Sequence, residues 1–324
     1  MIPRIRIAQL PTPIEPLPRL SARLGDARIW VKRDDQTGLA GGGNKTRKLE
    51  YVAAEAQANG ARTLITVGAA QSNHCRQTAA LAARLGMDCV VVLSGRQPQS
   101  LSGNLLLDHL FGAETVWCSR EKRDSVLQHT FETAWENGRR PFLIPLGAST
   151  PTGALGYVTA FEEFISQGVQ VDWIVAASSS AGTQAGLALG ARRSGWRGRV
   201  LGISIDHPQT ELQHQVADLA NRAAERLGDS QRIAPSEVLV NDDYTGAGYG
   251  VMTQAEVEAA RLFARLEGLL LDPVYTARAA AAMIDLIRKG FFKAGTTILF
   301  WHTGGTPALF ADEYRDLLSQ PYPG

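Results

Sequence analysis

Short apolar, β-branched runs alternate with longer amphipathic stretches along almost the whole chain, and this alternation limits the fold more than any other feature. It predicts strands over Arg28–Lys32, Thr63–Val67, Cys89–Leu93, Glu114–Trp117, Phe142–Ile144, Trp173–Ala176, Val200–Ile205 and Thr297–Trp301. Between them it predicts helices over Lys45–Ala58, Asn73–Leu85, Gly103–Leu110, Ser125–Glu136, Gly153–Ile165, Thr183–Arg193, Glu211–Arg226, Gln254–Leu266 and Ala277–Arg288. In the first of these Leu49, Val52, Ala53 and Ala56 recur at three- and four-residue steps, one face of a helix. Strands that alternate with helices form parallel sheets covered on both faces, so the expected class is α/β.

The 324 residues are enough for roughly two domains of about 150 residues. A balance of 33 Lys+Arg against 32 Asp+Glu gives a formal charge of +1, which excludes a chain-wide pull toward nucleic acid or anionic membrane. Three cysteines (Cys75, Cys89, Cys118) form no CxxC pair, so neither a disulfide scaffold nor a Cys-rich zinc site is expected. Six histidines show no metal-ligand spacing beyond His207/His214, which reads as a helix entry and its exposed face. The Pro-rich start lacks the apolar core of a signal peptide, and no apolar run approaches 18 residues. A cytoplasmic protein without metal is the expectation.

Three loops open helices and could carry chemistry. Lys45 follows Gly41-Gly42-Gly43-Asn44. The positive end of a helix dipole disfavours an ammonium there, leaving a free amine of the kind a Schiff base needs. The alternative is a capped helix with a surface lysine. The loop nearly spells a nucleotide-binding P-loop, but Asn44 separates the last glycine from the lysine and breaks the spacing. Gln71-Ser72-Asn73-His74 precedes a second helix, as an N-cap or as an amide site for a carboxylate. Ser178–Gly186, small residues between a strand and a helix, offers backbone N–H groups to a phosphate. Its pattern is not GxSxG, so no hydrolase elbow is expected. Gly246–Gly250 reads as a flexible loop presenting Tyr249, and Asp272-Pro-Val-Tyr275 puts a second tyrosine at a helix start. His302-Thr303-Gly304-Gly305 follows the carboxyl end of a strand, where open α/β sheets bind ligands. The charged run Arg120–Asp124 reads as solvated surface.

Taken in order, Gly42-Gly-Asn-Lys45-Thr-Arg-Lys48, Gln71-Ser-Asn-His74, Ser178–Gly186, Gly248-Tyr-Gly250, Asp272-Pro-Val-Tyr275 and His302-Thr-Gly-Gly305 resemble the D-cysteine desulfhydrase/1-aminocyclopropane-1-carboxylate deaminase family of pyridoxal-phosphate enzymes. The resemblance spans nearly the whole chain. It implies the tryptophan-synthase β-like fold, with two three-layer α/β/α domains and mostly parallel twisted sheets. Residues 1–47 and 158–324 would form the larger, cofactor-binding domain and 48–157 the smaller one. A homodimer acting on a small amino acid, with pyridoxal 5'-phosphate between the domains, is also implied.

Carried over by motif, Lys45 holds the cofactor as a Schiff base, and Lys48 assists at a phosphate cradled by Ser179, Ser180, Ala181, Gly182 and Thr183. Asn73 bonds the ring hydroxyl. Gln71, Ser72, Asn73 and His74 receive the substrate carboxylate, with Ser72 a candidate proton acceptor beside Lys45, and Tyr249 and Tyr275 line the substrate side. Deaminases of the cyclopropane substrate carry a glutamate after the second tyrosine and a leucine in the His-x-Gly-Gly motif, where this chain has Thr276 and Thr303. A neutral hydroxyl holds a proton on the ring nitrogen less well than a carboxylate does. The resemblance therefore favours β-elimination of D-cysteine to pyruvate, hydrogen sulfide and ammonia. L-cysteate sulfo-lyase and the cyclopropane deaminase are the alternatives.

Overall fold

A computed structural model of the chain describes residues 2–25, 27–246 and 248–319. The strands are β1 (Ile14–Pro16), β2 (Arg28–Arg33), β3 (Thr63–Ala69), β4 (Asp88–Ser94), β5 (Glu114–Cys118), β6 (Pro141–Ile144), β7 (Trp173–Ser178), β8 (Arg199–Ser204), β9 (Leu239–Asn241) and β10 (Thr297–His302). They form two sheets. One is six-stranded in the order β1-β2-β10-β7-β8-β9, parallel except where β1 pairs antiparallel with β2. The other is four-stranded in the order β5-β4-β3-β6 and wholly parallel. The smaller sheet comes from one continuous stretch, whereas the larger takes strands from both ends of the chain.

The predicted α/β class is the observed one. Each predicted strand and helix is present within two residues of its expected ends. Two three-residue strands, β1 and β9, were not foreseen, nor was the helix Pro18–Leu24. They are too short for a periodicity to register. Central strands carry apolar residues on both faces: all six residues of β10 and the first six of β3 are buried. That is the pattern of a parallel sheet covered on both sides.

Asp34, immediately after β2, ties the large sheet to its covering helices. Its carboxylate has no exposed surface. It accepts from Arg47 Nε and Nη2 (2.9 and 2.8 Å), Thr12 Oγ1 (2.8 Å), Tyr157 OH (2.6 Å) and Trp301 Nε1 (2.9 Å). The same guanidinium reaches Glu163 (3.0 and 2.9 Å), which also accepts from the buried Lys32 amine at 2.6 Å. Burial alone would raise the Asp34 pKa, but the Arg47 guanidinium outweighs it, with Lys32 assisting, and holds it at about 2. Because the folded value lies below the ordinary 3.8, this carboxylate stabilises the fold above about pH 4, and the contribution is lost as pH falls toward 2.

Removing one partner of a buried ion network leaves the others charged and unpaired, at a cost of roughly 3–5 kcal/mol. Asp34→Asn is therefore expected to lower the unfolding free energy by that amount, read as a lower midpoint of denaturant unfolding. The loss between pH 4 and pH 2 should also be shallower than in the wild type. An unchanged midpoint would remove Asp34 from this structural role.

Candidate active site

The carboxyl ends of both parallel sheets face a cavity of about 340 Å³. β3 brings Gly68 and Ala69 to its wall, β4 brings Ser94, and β7 brings Ala177 and Ser178. Asp206 and Thr303 follow β8 and β10 onto the same wall.

Lys45 enters on the first turn of the helix Asn44–Ala58. The preceding glycine turn sets its direction. At Gly42, with φ +72°, an added Cβ would stand 1.8 Å from the Asp35 carbonyl oxygen, so only glycine fits the turn. Gly43 N donates to Asp34 O (3.0 Å) and Asn44 N to Thr303 O (2.9 Å), anchoring the helix start to the ends of β2 and β10. Desolvation lowers the Lys45 pKa to about 8, with Asp272 opposing it. Lys48, one turn on, is fully buried, and its amine donates to Gly147 O and Ser149 Oγ, both at 3.2 Å. Burial, and then the charge of Lys45, push its pKa well down.

Beyond β7 the turn Ser179–Ala181 leads into the helix Gly182–Ser194. Ser179, Ser180, Ala181 and Thr183 stand on the cavity wall. Ala181 adopts φ +62°, outside the region an alanine prefers, a strain of about 1–3 kcal/mol of the kind held at functional turns. Ser149 Oγ donates to Ser180 Oγ (2.8 Å) and accepts from Gly182 N (3.3 Å), while Asn44 Nδ2 donates to Thr183 Oγ1 (3.0 Å). Ser178 Oγ is buried without a hydrogen-bond partner among the described residues. An added Cβ at Gly182 would come within 2.7 Å of Lys48 Nζ, so the turn closes directly over that amine.

The helix Asn73–Leu85 starts on the opposite side of the cavity. Ser72 is its N-cap, accepting from Cys75 N at 3.2 Å, and it also stands on the cavity wall. Asn73 and His74 also reach the wall, and His74 Nε2 lies 2.7 Å from Thr66 Oγ1. Tyr249 and Tyr275 also line the cavity, their hydroxyls 2.5 Å apart. Burial raises the pKa of both, so both stay protonated. One hydroxyl proton bridges the pair and the other remains to be donated.

Four expected residues do not reach the wall. Lys48 and Gly182 lie beneath it, as described. The Gln71 side chain is held by Ser102 O (3.1 Å) and Asn104 N (2.7 Å). The Thr276 hydroxyl donates to Asp272 Oδ1 (2.7 Å) and accepts from Asp272 N (2.6 Å). Three charged wall residues were not singled out from sequence. Asp206 carries no motif, and Arg120 and Arg123 sit in the run read as solvated surface.

This donor set fits pyridoxal phosphate. Lys48, with no carboxylate partner among the described residues, lies beneath a turn of small residues at a helix N-terminus, Lys45 stands on the same cavity's wall, and Ser178, whose hydroxyl has no partner among those residues, lines it too. A phosphate dianion would favour the charged form of amines that burial otherwise drives toward neutrality. The fit agrees with likeness to known proteins. A family model described as "Pyridoxal-phosphate dependent enzyme" matches residues 5–304. Among solved structures, an ACC deaminase homologue is 39% identical with a TM-score of 0.89, covering 98% of this chain and 95% of its own. A threonine deaminase isoform from Solanum lycopersicum shares the fold at 15% identity and TM-score 0.70, over 97% of this chain and 88% of that one. A hydrogen sulfide-producing enzyme from Fusobacterium nucleatum does so at 15% and 0.65, over 93% and 97%. The chain belongs to the pyridoxal-phosphate dependent enzyme family, with the tryptophan-synthase β-like fold, and pyridoxal 5'-phosphate is its cofactor.

Proposed function

We propose that the chain catalyses β-elimination of D-cysteine to pyruvate, hydrogen sulfide and ammonia, with the cofactor joined to Lys45. The carrying observation is the position after the second tyrosine. Thr276 spends its hydroxyl on Asp272, and Thr303 is the side chain that the His-x-Gly-Gly segment brings to the cavity. Bound pyridoxal phosphate supplies an electron sink that acidifies Cα–H. A sink without an acid partner suffices to release a thiolate, whose conjugate acid has an ordinary pKa of about 8.5. Opening a carbon ring asks for more, which weighs against 1-aminocyclopropane-1-carboxylate deaminase.

In this reading Lys48 and the Ser179–Thr183 turn hold the phosphate, and Asn73 donates to the ring hydroxyl. Ser72, Asn73 and His74 present the helix N-terminus to the substrate carboxylate. Lys45, its amine freed when the substrate amine displaces it, is the proton acceptor at Cα, a role that a pKa of about 8 suits. Roughly a tenth of it is unprotonated at pH 7, against under about one part in a thousand for an ordinary lysine. Ser72 relays that proton, and the spare hydroxyl of the tyrosine pair orients the substrate side chain. A second reading draws on Arg120 and Arg123, which suit an anionic leaving group and hence L-cysteate with release of sulfite.

A panel of D-cysteine, L-cysteine, L-cysteate and 1-aminocyclopropane-1-carboxylate, scored for pyruvate, 2-oxobutyrate and ammonia, tests the choice. The largest kcat/KM is expected for D-cysteine. Preference for cysteate, or 2-oxobutyrate from the cyclic substrate, would overturn it. Ser72→Ala is expected to lower kcat by about 10²–10⁴-fold, the range for a proton-transfer group, with cofactor affinity nearly unchanged. Loss of cofactor in that variant would contradict the role given to Ser72. For Lys45, capture of pyridoxal phosphate by the apoprotein should accelerate as pH rises through about 8. A profile still climbing steeply at pH 10 would mean an ordinary solvated lysine.

A further inference from the structure

Asn73 has an amide whose direction matters. Turned one way it offers two N–H donors to the cavity, and turned the other it offers an acceptor. Its Oδ1 accepts from Arg76 Nη1 (3.1 Å) and from Asn104 Nδ2 (2.9 Å). The direction of Asn104 is fixed in turn, because its Nδ2 also donates to Gln71 O (2.8 Å) and its Oδ1 accepts from Arg76 Nη1 (2.9 Å). Arg76 is donor-only, so this arrangement cannot be inverted without setting donor against donor. Asn73 Nδ2 is left facing the Gly304–Gly305 side of the cavity. An added Cβ at Gly305 would stand 2.5 Å from it.

The same guanidinium reaches a second element of the site. Arg76 Nη2 donates to Gly42 O at 2.8 Å, where Gln77 Nε2 also donates at 2.5 Å. Gly42 belongs to the turn that launches the helix carrying Lys45. Arg76 therefore spans the two segments that present Lys45 and Asn73, although it is buried and absent from the cavity wall. Asp108 is buried nearby with both oxygens accepting no hydrogen bond among the described residues, and burial, opposed by the Arg76 charge, pushes its pKa up to about 8.

We propose that Arg76 is a positioning residue for the cofactor, fixing the Asn73 amide with its N–H groups toward the ring hydroxyl and holding the Gly42 turn in register with it. The aldehyde and hydroxyl substituents of pyridoxal are neighbours on one ring. A single rigid cation tying their two protein partners together sets the spacing between them. This rests on the assignment of Asn73 to the ring hydroxyl and is independent of which amino acid is the substrate.

The test uses the purified holoenzyme. Arg76→Lys keeps the charge but cannot make the forked contacts to Asn73, Asn104 and Gly42. It is expected to shift the visible absorption band of the bound cofactor and to weaken cofactor binding by roughly 10- to 100-fold, the loss of one buried charge-assisted hydrogen bond. In an Asn73→Ala background the same substitution should add a smaller band shift, because one of the two groups it holds is gone and only the Gly42 turn remains. Asn104→Ala, which removes the other donor to Asn73 Oδ1, should move the band in the same direction and by less. It gives the test a variant that leaves the arginine in place should Arg76→Lys fail to fold.

If Arg76→Lys and Asn104→Ala only lower the unfolding midpoint and leave the band and cofactor affinity at wild-type values, the proposal is overturned. An equal band shift from Arg76→Lys with and without Asn73 would also overturn it. A wild-type band in Asn73→Ala alone would remove the underlying assignment of Asn73, an outcome separable from failure at Arg76.

Discussion

A buried ion network on the first long helix determines where the reactive amine lies. Arg47 is two residues beyond Lys45, and its guanidinium is gripped on one side by Asp34 and on the other by Glu163. Asp34 also draws in Thr12 from the N-terminal arm, Tyr157 from the helix Pro151–Ser166 and Trp301 from β10. An ion network of this kind contributes little net stability relative to apolar packing, but it tolerates few alternative arrangements. That intolerance is its use here. The helix start can neither slide nor rotate without breaking a charged contact, so the side chains of Lys45 and Lys48 have fixed directions.

With the direction fixed, burial does the chemical tuning. Lys45 and Lys48 are placed together in a region poor in carboxylates, and each is driven toward its neutral form. Desolvated amines are costly to keep in a fold, as is the left-handed Ala181 at the adjoining turn. A phosphate held against the Ser179–Thr183 turn would relieve much of that cost. The site is thus strained in the one direction that ligand binding corrects, a common relation between stability and function.

Much of this was legible in the sequence, because it depended on local signals. Strand–helix alternation gave the sheets, and the loops following β3, β7 and β10, with the glycine turn before Lys45, marked the cavity. What escaped notice is long-range. Asp34 sits in Arg33-Asp-Asp-Gln-Thr-Gly, which reads as a polar turn; its partners lie as far away as Trp301, and nothing local announces burial. Arg120 and Arg123 read as a solvated run, and Arg120 is indeed exposed, but the turn that follows β5 also sets both on the cavity wall. Thr276 shows the opposite limit. Its motif position pointed to the ring nitrogen, but a threonine one helical turn after an aspartate has a nearer partner in Asp272, and that local contact consumes its hydroxyl.

The central claim is that the amine at position 45, rather than its buried neighbour at 48, carries the cofactor. Borohydride reduction of the holoenzyme followed by peptide mass mapping separates the two directly. A single pyridoxyl-phosphate adduct on Lys45, with Lys48 unmodified, is the expected result. An adduct on Lys48, or on an exposed lysine such as Lys289 alone, would contradict the account.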